Sequence, residues 1–92
     1  MNKGSGYKEL ERELKALSNK RRLAIIKFLR QNKEATVGDI SETIKLSFKS
    51  TSKHLAILKT VDIVEYEQRS LSYYYKLVEP LPPASLSFIS LL

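Results

Sequence analysis

The sequence predicts a mainly α domain with a small β-hairpin, and three observations carry that prediction. Apolar residues recur at helical spacing through four successive segments between Tyr7 and Thr60. The period then falls to two: Ile63 to Gln68 and Ser72 to Val78 are rich in β-branched and aromatic residues and flank a short link of Arg69, Ser70 and Leu71. At 92 residues and 42% hydrophobic content there is room for one domain with a modest core, and without Cys no disulfide supports it.

Residues 1–6, MNKGSG, are polar and Gly-containing, and a flexible start is expected there. Tyr7, Leu10, Leu14 and Leu17 then recur at offsets of three and four and form the apolar stripe of a first helix. Ser18 and Asn19 interrupt it, and Asn19 suits the N-cap of a second helix from Lys20 to about Asn32. With Leu23, Ile25, Ile26, Phe28 and Leu29, this is the most apolar helix of the chain and the expected core element.

Thr36 followed three residues later by Asp39 resembles a capping box with a shortened acid, opening a third helix to about Ile44. Lys45 and Leu46 make a turn, and Ser47 caps a fourth helix to about Thr60. Val37, Ile40, Ile44 and Leu46, then Thr51, Leu55 and Leu58, let both helices bury one face in a shared core. Two such helices followed by a hairpin make residues 7–79 a winged helix-turn-helix domain. The tail, residues 80–92, carries Pro80, Pro82 and Pro83 and then Leu86, Phe88, Ile89, Leu91 and Leu92. It is either a fifth helix used for dimerisation or a flexible extension whose apolar end meets another protein.

The formal net charge of +6 and pI near 9.7 favour an anionic partner. No nucleophile–base pair, phosphate loop or carboxylate cluster is legible, so an enzyme is not expected, and neither is a cofactor. No apolar run approaches the roughly 18 residues of a membrane span and no signal peptide is visible, which makes the cytoplasm the expected location and a membrane partner unexpected.

The order of these elements resembles the ArsR/SmtB-type winged-helix repressors. LKALSNKRRLAIIKFL is similar to that family's opening helices, DISETIKLSFKSTSKHLAILK to its helix-turn-helix and IVEYEQRSLSYYYKL to its wing. The likeness covers about residues 10 to 78, and its most specific part is Ser52, Lys53, His54 and Leu55 followed by Ile57, Leu58 and Lys59. It implies a homodimeric repressor that binds double-stranded DNA at a palindromic operator and leaves when an inducer, often a metal ion, binds.

Metal sensors of the family open the third helix with Cys-x-Cys, where this chain has Thr36 and Gly38. A second site type of the family takes Asp and His from the C-terminal helix, and the tail after Pro80 has neither. With one His and no Cys, a zinc or copper site is not expected. The family usually has Gly where this chain has Lys45, Asp62 and Ser70, so positive φ is expected at three residues that carry a Cβ.

At about 100° per residue, Thr51, Leu55 and Leu58 cluster on one side of the fourth helix while Lys49, Lys53 and Ala56 lie opposite. The expected DNA-binding set is Ser47, Lys49, Ser50, Ser52, Lys53, His54 and Arg69. The lysines meet phosphates or guanine edges, and the serines meet backbone or base edges. His54 matches the family's usual His in this helix and is read as structural or phosphate-touching. Phe48 stands where the family often has a polar residue; it packs inward or lies against a thymine methyl, and packing is preferred.

Arg69, at the hairpin tip, either reaches the minor groove or flanking phosphates or is simply an exposed turn cation. Alternation sends Tyr74 to one face of its strand and Tyr73 and Tyr75 to the other. Arg22 matches a family Arg and suits a structural salt bridge. Leu10, Leu14, Leu17, Leu86 and Ile89 are the candidate dimerisation residues, because a chain this short would struggle to cover both terminal apolar faces. The competing reading is a winged-helix protein-interaction module without specific DNA binding.

Overall fold

The computed structural model of the chain describes residues 3–92, in the order α1 (Lys3–Leu17), α2 (Lys20–Asn32), β1 (Glu34–Thr36), α3 (Val37–Ile44), α4 (Phe48–Thr60), β2 (Val64–Arg69), β3 (Ser72–Leu77) and α5 (Pro83–Phe88), with a 3₁₀ turn at Ile89–Leu91. Capping chemistry sets the helix starts. The Asn19 side chain accepts from the amides of Arg21 and Arg22, and Ser47 Oγ accepts from the Ser50 amide. Thr36 Oγ1 accepts from the Asp39 amide at 3.1 Å, while Asp39 accepts from the Thr36 amide at 3.4 Å, which completes the expected box.

Helix α1 begins earlier than its apolar repeat. Lys3 to Gly6 already belong to it, and residues 1–2 of the expected flexible start lie outside the described residues. The sheet is also larger than a hairpin. Its order is β1-β3-β2, with Ala35 opposite Tyr75 in β3 and Tyr66 of β2 opposite the same Tyr75. A three-residue strand is too short to show an alternating pattern in sequence, so β1 was not foreseen. Its pairing fixes the wing to the segment between α2 and α3. Arg69 belongs to β2 rather than to the link, which leaves Ser70 and Leu71 as a two-residue turn.

The core forms where α2 meets α3, α4 and the start of β2. Ile25, Ile26, Leu29, Ile40, Leu55, Leu58, Ile63 and Val64 are essentially inaccessible, and Thr51 joins them by donating its hydroxyl to the Ser47 carbonyl. Leu17, expected at a dimer face, lies in this core at 4% exposure because it ends α1 directly above α2. Ile89 is partly buried and packs on the same cluster.

Backbone strain falls where the glycine pattern predicts it. Lys45, Asp62 and Ser70 have φ of 56°, 59° and 58°. Lys33, between α2 and β1, shares the feature at 60° and carried no sequence signal.

The tail is helical. Helix α5 is capped from another element: the Glu13 carboxylate, buried on α1, accepts from the amides of Ala84 and Ser85 and from Ser85 Oγ. Its N-terminal amides are thereby satisfied by a residue more than seventy positions away. Proline-rich composition gave no hint of this partner.

Candidate nucleic-acid interface

Helix α4 carries the candidate site, because its core-facing and outward faces differ sharply in chemistry. Thr51, Leu55 and Leu58 are buried, whereas Lys49, Lys53, Ala56 and Ile57 are exposed. The helix holds three lysines and no acidic residue. Ion pairs among the described residues engage Lys15, Arg69 and Lys76 but neither Lys49 nor Lys53, so both ammonium groups face solvent uncompensated. Ser50 and Ser52 are half-buried flanks of this face. Ser47 Oγ is occupied as the cap acceptor, and its hydroxyl proton stays available for donation.

Two residues lie differently from their sequence assignments. Phe48, for which inward packing was preferred, is 62% exposed, because the first residue of α4 overhangs the end of the core that closes one turn later at Thr51. Arg69 is turned back onto the protein. It forms a fork with Glu34 at 2.6 and 2.8 Å, a third bond to Glu67 at 2.9 Å, and lies over the Tyr74 ring at 4.7 Å. These contacts hold the Glu34 carboxyl below the usual carboxylate range and raise the guanidinium further above its own. The guanidinium is still 46% exposed, but its charge is paired with two carboxylates. Alternation along β2 places Glu67 and Arg69 on one face, a signal readable in sequence, whereas Glu34 required knowledge of β1.

The tyrosines divide as alternation predicts. Tyr66 packs edge-on against Tyr73 at 5.0 Å and tilted against Tyr75 at 5.3 Å, while Tyr74 lies under Arg69 on the other face. Burial, together with Tyr66 and Tyr73, pushes the Tyr75 hydroxyl pKa up. Lys59 sits 5.4 Å above the Tyr66 ring, joining the end of α4 to the wing.

His54 is half-buried behind the outward face. The Arg22 guanidinium donates to its Nδ1 at 3.1 Å, so the ring is the tautomer with its proton on Nε2, and Nε2–H remains a donor. Burial and the charges of Arg22 and Arg21 lower its pKa, which keeps it neutral at physiological pH. Among the described residues Arg22 makes no salt bridge, which differs from the expectation. It instead donates to the carbonyls of Lys15 and Ala16, finishing α1 and tying its end to α4 through His54.

A second surface lies at the two termini. Leu10, Leu14 and Leu86 are 43%, 44% and 58% exposed, and Tyr7 and Leu91 are more exposed still. Leu14, Leu23, Phe88, Leu91 and Leu92 line an open apolar groove of about 520 Å³, with Leu17 and Ser18 also lining it. Among the described residues no helix is long and apolar enough to cross a membrane.

Comparison with known proteins is consistent with this geometry. Residues 19–66, slightly more than half of the chain, match the family described as bacterial regulatory protein, arsR family. The transcriptional activator HlyU of Vibrio cholerae is 38% identical over 64 residues, which are 70% of this chain and 58% of HlyU, so the match spans less than two thirds of that relative. A solved structure of V. cholerae HlyU superposes with a TM-score of 0.78 at 32% identity, over 99% of this chain and 92% of the other. The homodimeric winged helix-turn-helix DNA-binding domain of Mb0332 from Mycobacterium bovis gives 0.83 at 27% identity, over 97% and 79%. The transcriptional repressor BigR from Xylella fastidiosa gives 0.76 at 25% identity, over 97% and 84%.

Proposed function

The chain belongs to the arsR family of bacterial regulatory proteins, and we propose that it is a sequence-specific, DNA-binding transcriptional repressor that acts in the cytoplasm as a homodimer. The observation that carries this is the outward face of α4, where Lys49 and Lys53 have no ion-pair partner among the described residues, on a helix without a single acid. A helix of that character fits the major groove, with its cations at phosphates or guanine edges and Ser47, Ser50 and Ser52 donating beside them. His54 supports the face and offers Nε2–H to a phosphate. Arg69 serves the wing's shape while Glu34 holds it.

The homodimer is supported by the apolar faces of α1 and α5, where Leu10, Leu14 and Leu86 project, and by the homodimeric state of the Mb0332 domain. Two-fold symmetry would set two α4 helices in successive major grooves about 34–36 Å apart, matching a palindromic operator. Repression needs only that the dimer occupy promoter DNA, as fits the name of the BigR repressor; the HlyU relative is named an activator, and operator position relative to the promoter sets the sign. Thr36 and Gly38 stand where the family's metal sensors carry thiolates, and Thr36 Oγ1 already serves as a helix cap, so a cysteine metal site has no place there.

Selection of bound sequences from random duplex DNA, read together with the mass of the complex, tests the proposal. The expected result is an enriched palindrome holding two copies of the chain, lost on changing Lys49→Glu and Lys53→Glu. Retention indifferent to those changes would overturn it in favour of a protein-docking winged helix.

A further inference from the structure

We propose that Phe48 is the residue with which this chain reads thymine, its ring lying against a thymine C5-methyl group on the floor of the major groove, an inference that rests on the DNA-binding reading of α4 and adds to it the base recognised. Phe48 follows the Ser47 cap directly and opens α4, and the N-terminal residues of a recognition helix are the ones that reach base edges. It is 62% exposed and stands outside the core cluster. Aromatic pairs among the described residues join only tyrosines of the sheet, so the ring has no aromatic partner there.

The chemistry of the site narrows what covers the ring. A phenyl group neither donates nor accepts a conventional hydrogen bond, so it holds neither a phosphate oxygen nor a base heteroatom. The thymine methyl is the one apolar group that a base pair presents in the major groove. An apolar patch on a protein partner would satisfy the ring equally well, but its surroundings argue for an anion. Lys49 adjoins it, Lys53 lies a turn beyond, and the helix carries no acid to offset either. Phosphates draw the helix in, and the ring then distinguishes thymine from cytosine at the position beneath it.

Uracil removes the methyl and leaves every hydrogen-bonding group of thymine in place. The test therefore takes the duplex enriched by the wild-type chain and replaces its thymidines with deoxyuridine one at a time. One position in each half-site is expected to weaken binding about fourfold, the effect of exposing one buried methyl-sized group. The weakening should persist in Phe48→Leu, which keeps an apolar side chain, and vanish in Phe48→Ala. Because the ring is exposed, both variants should melt with the wild type. Uniformly neutral replacements, or the same weakening in Phe48→Ala, would overturn the assignment while leaving DNA binding intact. If no sequence is enriched at all, the DNA-binding reading itself fails and the thymine contact falls with it.

Discussion

Arg69 and Glu34, 35 residues apart in sequence, close a two-pronged ion pair across the sheet, with N···O distances of 2.6 and 2.8 Å. The pair joins the tip end of β2 to β1 and occupies the guanidinium that would otherwise be the wing's cation. A guanidinium held by two carboxylates is not free for phosphate. Changing Glu34→Gln removes the fork while preserving shape, and Glu67 alone is a weaker holder. The expected outcome is a released Arg69 that adds a phosphate contact. The slope of log affinity against log salt should then steepen by about 0.9 for each protomer, about 1.8 for the dimer, and Arg69→Ala in that background should restore it. An unchanged slope in Glu34→Gln combined with Glu67→Gln, which leaves Arg69 no carboxylate, would show that the wing does not approach the DNA.

Lys45 holds φ of 56° and ψ of 52° at the end of α3, where its amide and that of Leu46 both donate to the Ser41 carbonyl. The geometry is a left-handed helix end, which glycine enters without a Cβ penalty. Lys45→Gly is expected to stabilise the fold by about 1 kcal/mol, raising Tm by about 4–8 °C for a domain of this size. Thermal denaturation at one fixed protein concentration checks it, and a Tm no higher than wild type would count against strain at this turn.

That turn also shows what a sequence can reveal. Lys45, Asp62 and Ser70 were identifiable only because the resembling family usually carries glycine at those turns, whereas the caps at Asn19, Thr36 and Ser47 were legible because capping chemistry is local. The outward face of α4 followed from helical periodicity alone. What escaped was decided by contacts between distant residues: β1 exists through its pairing with β3, Arg69 is charge-paired through β1, and Phe48 is exposed because the core ends one turn too late to cover it. The burial of Leu17 was not legible either, since a stripe of leucines does not state which of them faces the core and which stays exposed.

His54 links stability to pH through its burial and its contact with Arg22. Its pKa is lowered from the ordinary 6.5, so the unfolded chain binds a proton more readily than the folded one. The resulting stability is fully present above pH 6.5 and is lost as pH falls from there through the lowered folded value. Protonation removes the Nδ1 acceptor and sets a second cation against Arg22. His54→Asn offers an oxygen in the place of Nδ1 without titrating. Urea denaturation between pH 7.5 and 5 should therefore show a decline in the wild type that His54→Asn largely lacks, and parallel curves would exclude His54 as its source.

Leu14 and Leu17 lie one turn apart on α1 yet carry opposite expectations. Leu14 is 44% exposed, and Leu17 is buried at 4%. Leu17→Ala should cost about 2–5 kcal/mol as a core truncation. Leu10→Lys with Leu14→Lys should leave the helical signal intact but yield monomers, because charge on a two-fold face meets its own copy. Sedimentation of the double variant, with circular dichroism as the folding control, distinguishes the two. A folded dimer would remove α1 from the interface.

Glu13 decides whether α5 stays in place for that interface. Its buried carboxylate receives the Ala84 and Ser85 amides and the Ser85 hydroxyl, and Pro82 and Pro83 beside them bring no amide hydrogen of their own. Glu13→Ala would leave the buried Ser85 amide and hydroxyl without their partner, at a cost of about 1–3 kcal/mol. Helix α5 has only six residues and cannot persist alone, so the loss should appear as local release rather than global unfolding. Hydrogen exchange is the suitable measurement: amides from Ser85 to Ile89 should lose protection in Glu13→Ala while those of α2 and α4 keep theirs. Since α5 carries Leu86 and forms part of the terminal apolar surface, the same variant should also dimerise more weakly. Full protection of α5 in Glu13→Ala would mean that apolar packing by Phe88 and Ile89 holds the helix without its distant cap.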